Sequence, residues 1–133
     1  MSNSVSIGCI ITHPSLDPNS ITQNVNLKPT LTQKGGNQVT TPSHPVENSF
    51  YKFSKWQYIK ELSYDDDLKI ELQMLVDHLF SSVEFLNKVT SEGGSIEIFF
   101  RLTNPAHRAM MVDSNLMKKI GEINASFGFE EFE

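Results

Sequence analysis

The stretch DDDLKIELQMLVDHLFSSVEFLNKVTSEGGSIEIFFRL, residues 65–102, decides the fold. Through residues 65–93, Leu68, Leu72, Leu75, Leu79, Leu86 and Val89 recur at spacings of three, four and seven, with Val83 filling the intervening turn. That stripe predicts an amphipathic helix of about seven turns. Asp65, Asp66 and Asp67 fall at its N-terminal end, where the helix dipole favours each carboxylate by about 0.3–1 kcal/mol. Gly93 and Gly94 end it. The period then switches to two: Ile96, Ile98, Phe100 and Leu102 alternate with Glu97, Phe99 and Arg101, which predicts a half-buried strand. A long helix running directly into such a strand points to an α+β chain.

Outward from this core the other elements follow. At the start, Val5, Ile7, Cys9 and Ile11 share one face of a strand. Asp17 and Pro18 then suit the N-cap and first position of a helix carrying Ile21 and Val25, and Pro29 limits it. Residues 30–49 are polar and aperiodic, a long loop with room for a short strand near Gln38 to Thr41. The aromatic run SFYKFSKWQYIKEL, residues 49–62, reads as one long strand, bulged near Ser54. Beyond residue 102, HRAMMV (107–112) suggests a short strand. Asp113 or Ser114 caps a helix with Leu116, Met117 and Ile120, which Gly121 weakens or ends. Phe127 and Phe129 share a face of a closing strand. The order β-α-β-α-β-α-β predicts a mainly antiparallel sheet with helices on one face, an α+β sandwich of ferredoxin-like character in a single domain spanning residues 1–133.

With 133 residues and 38% hydrophobic content, the chain can bury one core without disulfides or a structural metal. The lone Cys9 cannot form an internal disulfide and fits a reducing compartment, so a cytoplasmic location is expected. No signal peptide or membrane span is legible. Charge is uneven: residues 1–63 carry five lysines against three acids, and residues 64–133 carry six cations against thirteen acids, for a net charge of −5. An acidic half of that density disfavours nucleic acid and favours encounter with a basic protein.

Catalytic signatures are missing from the sequence. In TLTQKGGNQ, residues 30–38, Lys34 precedes its glycines and no helix follows, so the stretch is not a phosphate-binding loop. The histidines His13, His44, His78 and His107 do not pair at metal-ligand spacing, and three adjacent aspartates lack the later ligands of a calcium loop. Cys9 reads as a buried small hydrophobe. Glu130 and Glu131 are strand neighbours and point to opposite faces. No cofactor is expected. Aromatics interleaved with Lys52, Lys55 and Lys60 raise an alternative: a sheet binding single-stranded RNA through Tyr51, Phe53, Trp56 and Tyr58. An enzyme site assembled from distant residues would draw on His13 and His107.

Asp17, Pro18, Ile21, Thr22, Leu27, Pro29, Thr30, Lys34 and Gly35, with Trp56 in a later strand, the long leucine helix and the closing strand, form a pattern that spans nearly the whole chain. In these residues the sequence resembles the bacterial family known as domain of unknown function 4279. The polar segment after Gly36 is longer than the family's usual pattern. The resemblance implies a small intracellular protein with no assigned activity, and some small bacterial proteins of this kind serve as toxin immunity proteins. Combined with the acidic half, it leads to the expectation of a non-enzymatic immunity or antitoxin-like protein that occludes the basic active site of a toxin such as a nuclease. The expected contact residues are Asp65, Asp66, Asp67, Glu130, Glu131 and Glu133.

Overall fold

The computed structural model describes residues 4–40, 45–103 and 110–132, with the backbone alone at 40, 45–48 and 132. In chain order the elements are β1 (Ser4–His13), α1 (Pro18–Val25), β2 (Leu31–Gln33), β3 (Gln38–Thr40), β4 (Pro45–Phe50), β5 (Ser54–Leu62), α2 (Leu68–Phe80), α3 (Val83–Ser91), β6 (Ser95–Thr103), α4 (Ser114–Glu122) and β7 (Ala125–Phe132). Five strands form one sheet in the order β2-β5-β1-β6-β7, and β3 pairs with β4 in a separate ribbon. β1 runs antiparallel to both its neighbours, β5 and β6. β7 lies parallel to β6, which the intervening α4 permits.

The expected α+β layering is present. Val5, Ile7, Cys9 and Ile11 of β1, Trp56 of β5, and Ile96, Ile98, Phe100 and Leu102 of β6 all face one core. Ile21 and Val25 of α1, Leu72, Leu75, Val76 and Leu79 of α2, Leu86 and Val89 of α3, and Leu116 and Ile120 of α4 close over it. Phe99 is also buried, but it lies outside that core, on the sheet's other face with Gly8, Ile10, Gln57 and Arg101. Among the described residues no helix covers that face. Gly8 is required there, because an added Cβ would stand 2.6 Å from the Phe99 ring and 2.8 Å from the Tyr58 carbonyl oxygen.

Several boundaries differ from the sequence reading. The seven-turn helix is two helices, broken at Ser81 and Ser82. Ser81 Oγ donates to the His78 carbonyl, and Ser82 Oγ donates to the carbonyl of Asn24 at 2.7 Å, so serine hydroxyls draw the backbone out of its ladder. The aromatic run is likewise two strands. Tyr51 exchanges backbone hydrogen bonds with Gly36 and Asn37, which bends residues 51–53 away from β5. In the polar segment the expected short strand is present as β3, and β2 and β4, absent from that reading, flank it. Thr30 donates from both its amide and its hydroxyl to Gln57 O, seating β2 on the edge of β5. Residues 110–112 form no strand, and 107–109 lie outside the described residues. α1 stops at Asn26, which adopts the left-handed conformation at φ 59°, before Pro29 is reached.

Candidate functional site

The residues that carry the family resemblance converge on one architectural clasp. Asp17 caps α1 by accepting from Asn19 N at 2.9 Å, and Pro18 follows at its first position. Ile21 is fully buried. Thr22 Oγ1 accepts from the indole Nε1–H of Trp56 at 3.0 Å, and Trp56 has no exposed surface. Gly35 N donates to Ser54 Oγ at 2.9 Å, and a Cβ at Gly35 would stand 2.7 Å from the Pro14 carbonyl oxygen. The pattern therefore ties α1, β2 and β5 together.

The acidic residues behave differently. Antiparallel register places Leu62, Ser4 and Thr103 at one end of the sheet, and the parallel β6–β7 pair adds Phe132 to the same end. Asp65, Asp66 and Asp67 follow directly after β5, and Glu130 and Glu131 close β7. Three strand spacings, about 14 Å, separate these two groups. Asp67 caps α2 by accepting from Lys69 N and Ile70 N, and Asp66 accepts from Ser63 N at 2.7 Å. Glu130 accepts from Arg101 Nε at 3.0 Å. Asp65 and Glu131 are exposed and form no ion pair among the described residues. Glu133 lies outside the described residues. Asp113, the cap of α4, pairs with Lys69 at 3.4 Å, and the hydrogen bond from Leu116 N holds its carboxyl below the usual range.

The proposed RNA platform is not assembled. Trp56 is buried beneath α1, and Tyr58 lies beside it on the helix side with ring centroids 6.5 Å apart. Phe53 is largely exposed in the bend, and Tyr51 is half-buried in another segment. A base cannot stack on a ring enclosed by the core. His13 is also structural: its Nδ1 accepts from Ser15 N and Leu16 N, so Nε2–H donates to Glu92 Oε1 at 2.9 Å. His44 and His107 lie outside the described residues. His78 Nε2 donates to Val25 O at 2.7 Å. Burial, with a smaller effect from Glu97, pushes the Cys9 thiol up to about 12, so it remains an unreactive thiol. Among the described residues no group of three His, Cys, Asp or Glu side chains is arranged to hold a metal.

Hollows among the described residues join distant segments, which sequence spacing could not show, and three of them bear on the site. One of about 140 Å³ lies between β5 and α2 and collects Tyr58, Lys60, Glu71 and His78 around Leu27 and Leu75. Its Lys60 is held above the usual lysine range by a 3.0 Å hydrogen bond to Glu71. A second, open and polar, of about 570 Å³, is rimmed by Asp17, Asn19, Gln33, Lys34, Asn37 and Tyr51. It offers donors and acceptors without an activated nucleophile. The third, of about 240 Å³, lies between β6 and β7 along Phe99 and Gly128.

Fold and sites together define a two-layer α+β domain with helices on one face, a sequence signature anchored by the buried Pro18, Ile21 and Trp56, and an acidic sheet end. The chain belongs to the family Domain of unknown function (DUF4279), whose model matches residues 9–131. No curated protein and no solved structure matches it. No helix among the described residues is long and apolar enough to cross a membrane.

Proposed function

We propose that the protein is a non-enzymatic, cytoplasmic, acidic binding protein of the immunity or antitoxin type, which neutralises a bacterial toxin by covering its basic active site. The observation that carries this reading is the gathering of Asp65, Asp66, Asp67, Glu130 and Glu131 at one end of the sheet. These residues come from segments more than sixty positions apart in the chain. Among the described residues, Lys60, Lys69 and Arg101 are already engaged by Glu71, Asp113 and Glu130. Asp65 and Glu131, among the same residues, are left exposed and without an ion pair to meet an approaching partner. Exposed carboxylates of this kind add mainly to encounter rate and to partner choice, with association reaching about 10⁸–10⁹ M⁻¹s⁻¹ at low salt.

Protection in the cell is the direct test. Co-expression with a toxin domain encoded beside this chain restores growth, and the double variant Asp65→Lys, Glu131→Lys loses protection while keeping its circular dichroism. Undiminished protection by the charge-reversed protein, or recovery of no basic protein in a low-salt pull-down, overturns the reading.

A further inference from the structure

Gly128 is a glycine that the fold does not require. It sits in the middle of β7 opposite Phe99 of β6, and a Cβ added there meets nothing within 4 Å. Its φ lies outside the left-handed region, so any L-residue fits the backbone. Glycine inside a strand costs stability, and it often marks a place where another chain or ligand approaches the backbone closely. Gly8, on the same face, has the opposite explanation, since the Phe99 ring occupies the space of its missing side chain. Gly121 also has room, but it lies on the exposed last turn of α4 and lines none of the hollows described above.

Gly128 instead forms the floor of the 240 Å³ groove on the uncovered face of the sheet, walled by Glu97, Phe99, Ser126 and Glu130. Arg101 already spans one end of it. Its guanidinium lies 4.7 Å from the Phe99 ring centroid, and its Nε donates to Glu130 at 3.0 Å. Glu130 is thereby neutralised, whereas the exposed Glu97 makes no ion pair among the described residues. The groove thus combines an uncompensated carboxylate, a hydroxyl and bare backbone, with the Phe99 ring buried beneath Arg101.

We infer that this groove receives an arginine side chain of the basic partner, its guanidinium on Glu97 and its methylene stem laid over Gly128. This rests on the basic-partner reading above and extends that surface from the sheet end onto the uncovered face, with Glu130 as the shared residue. Arginine suits the groove better than lysine, because a planar guanidinium can meet the Glu97 carboxylate with two parallel hydrogen bonds.

The test is a titration of the ¹⁵N-labelled protein with N-acetyl-argininamide, with the uncharged isostere N-acetyl-citrullinamide as control. Saturable amide shifts are expected at Glu97, Phe99, Ser126 and Gly128 with the arginine derivative and not with citrulline. Gly128→Leu should keep or raise the unfolding midpoint and abolish those shifts, and Glu97→Gln should weaken binding several-fold. If leucine disturbs the strand, Ser126→Leu blocks the same groove from its exposed wall. Shifts confined to Asp65–Asp67 and Glu131 overturn the groove and leave the basic-partner reading standing. Equal shifts with citrulline, or no saturable shift at the groove, overturn the inference, and the protection assay then decides the broader reading independently.

Discussion

Replacing Thr22 by valine removes one hydrogen bond from the core while leaving its shape intact. The Thr22 hydroxyl accepts from Trp56 Nε1–H at 3.0 Å, and Trp56 is wholly buried. Valine keeps the β-branch and nearly the same volume, so helix propensity and packing change little. The indole N–H is then stranded away from water, at a cost of about 1–3 kcal/mol. The same hydroxyl donates to Pro18 O at 3.3 Å, a long helical back-bond whose loss adds little. Thr22→Ser is the control: it keeps the acceptor and loses one methyl, for less than about 1 kcal/mol. Trp56 is the chain's one tryptophan, so its own fluorescence reports urea unfolding. With a urea slope of about 1–3 kcal/mol/M, a 2 kcal/mol loss lowers the midpoint by about 1 M. In Trp56→Phe the donor is gone, so Thr22→Val in that background should cost much less; circular dichroism follows that arm of the cycle. A valine variant that unfolds at the wild-type midpoint, or above the serine variant, refutes the reasoning.

Gly8→Ala should destabilise by about 1–3 kcal/mol, because its Cβ would stand 2.6 Å from the Phe99 ring and 2.8 Å from a backbone oxygen; an unchanged thermal midpoint contradicts this. Cys9, with its thiol pushed up to about 12 by burial, should resist iodoacetamide in the folded protein at pH 8, where almost none of it is ionised. Mass spectrometry should show the adduct only after unfolding in urea, and rapid modification under native conditions would show that the strand is open. Asp113 has a folded pKa below its ordinary value, chiefly through the Leu116 amide. Its contribution is therefore present above the unfolded carboxylate's pKa and lost as pH falls through the folded one. Amide exchange in α4, corrected for intrinsic rates, should rise on acidification below about pH 4, and Asp113→Asn should flatten that rise; identical profiles for the two proteins count against the cap. Ser82→Ala removes the hydroxyl that draws the chain toward Asn24 O at 2.7 Å, and the amides around the α2–α3 break should exchange faster or slower as the two helices separate or merge. Unchanged exchange there assigns the break to another contact.

Where the sequence reading succeeds, its signal is local. Asp17 followed by Pro18 is an N-cap and first-position pair whatever surrounds it, and the structure shows that cap. Alternation along Ile96, Ile98, Phe100 and Leu102 turns these residues to one face because strand geometry has period two, and all four enter the core. Phe127 and Phe129 share a face for the same reason, Phe129 stacking on Phe100 and Phe127 meeting it edge-on. The parity of Trp56 was equally legible. Whether that parity faces helices or solvent was not, because the aromatic run offers apolar side chains to both faces.

Strand order is the chief quantity that spacing cannot supply. β1 pairs with β5 and β6, whose starting residues lie fifty and ninety-one positions further along. Those pairings bring the Asp65–Asp67 turn and the Glu130–Glu131 tip to one end of the sheet. The helix break at Ser82 depends on a carbonyl fifty-eight residues earlier, and Gly128 gains its groove only when β7 lies beside Phe99. The sequence by itself determined the caps, the strand alternation, the acidic second half and the family, since these rest on near neighbours, on composition or on a linear pattern of residue types along the chain. Tertiary structure alone decided which faces meet and which charges gather, because the free energy that selects them comes from burial shared across distant segments.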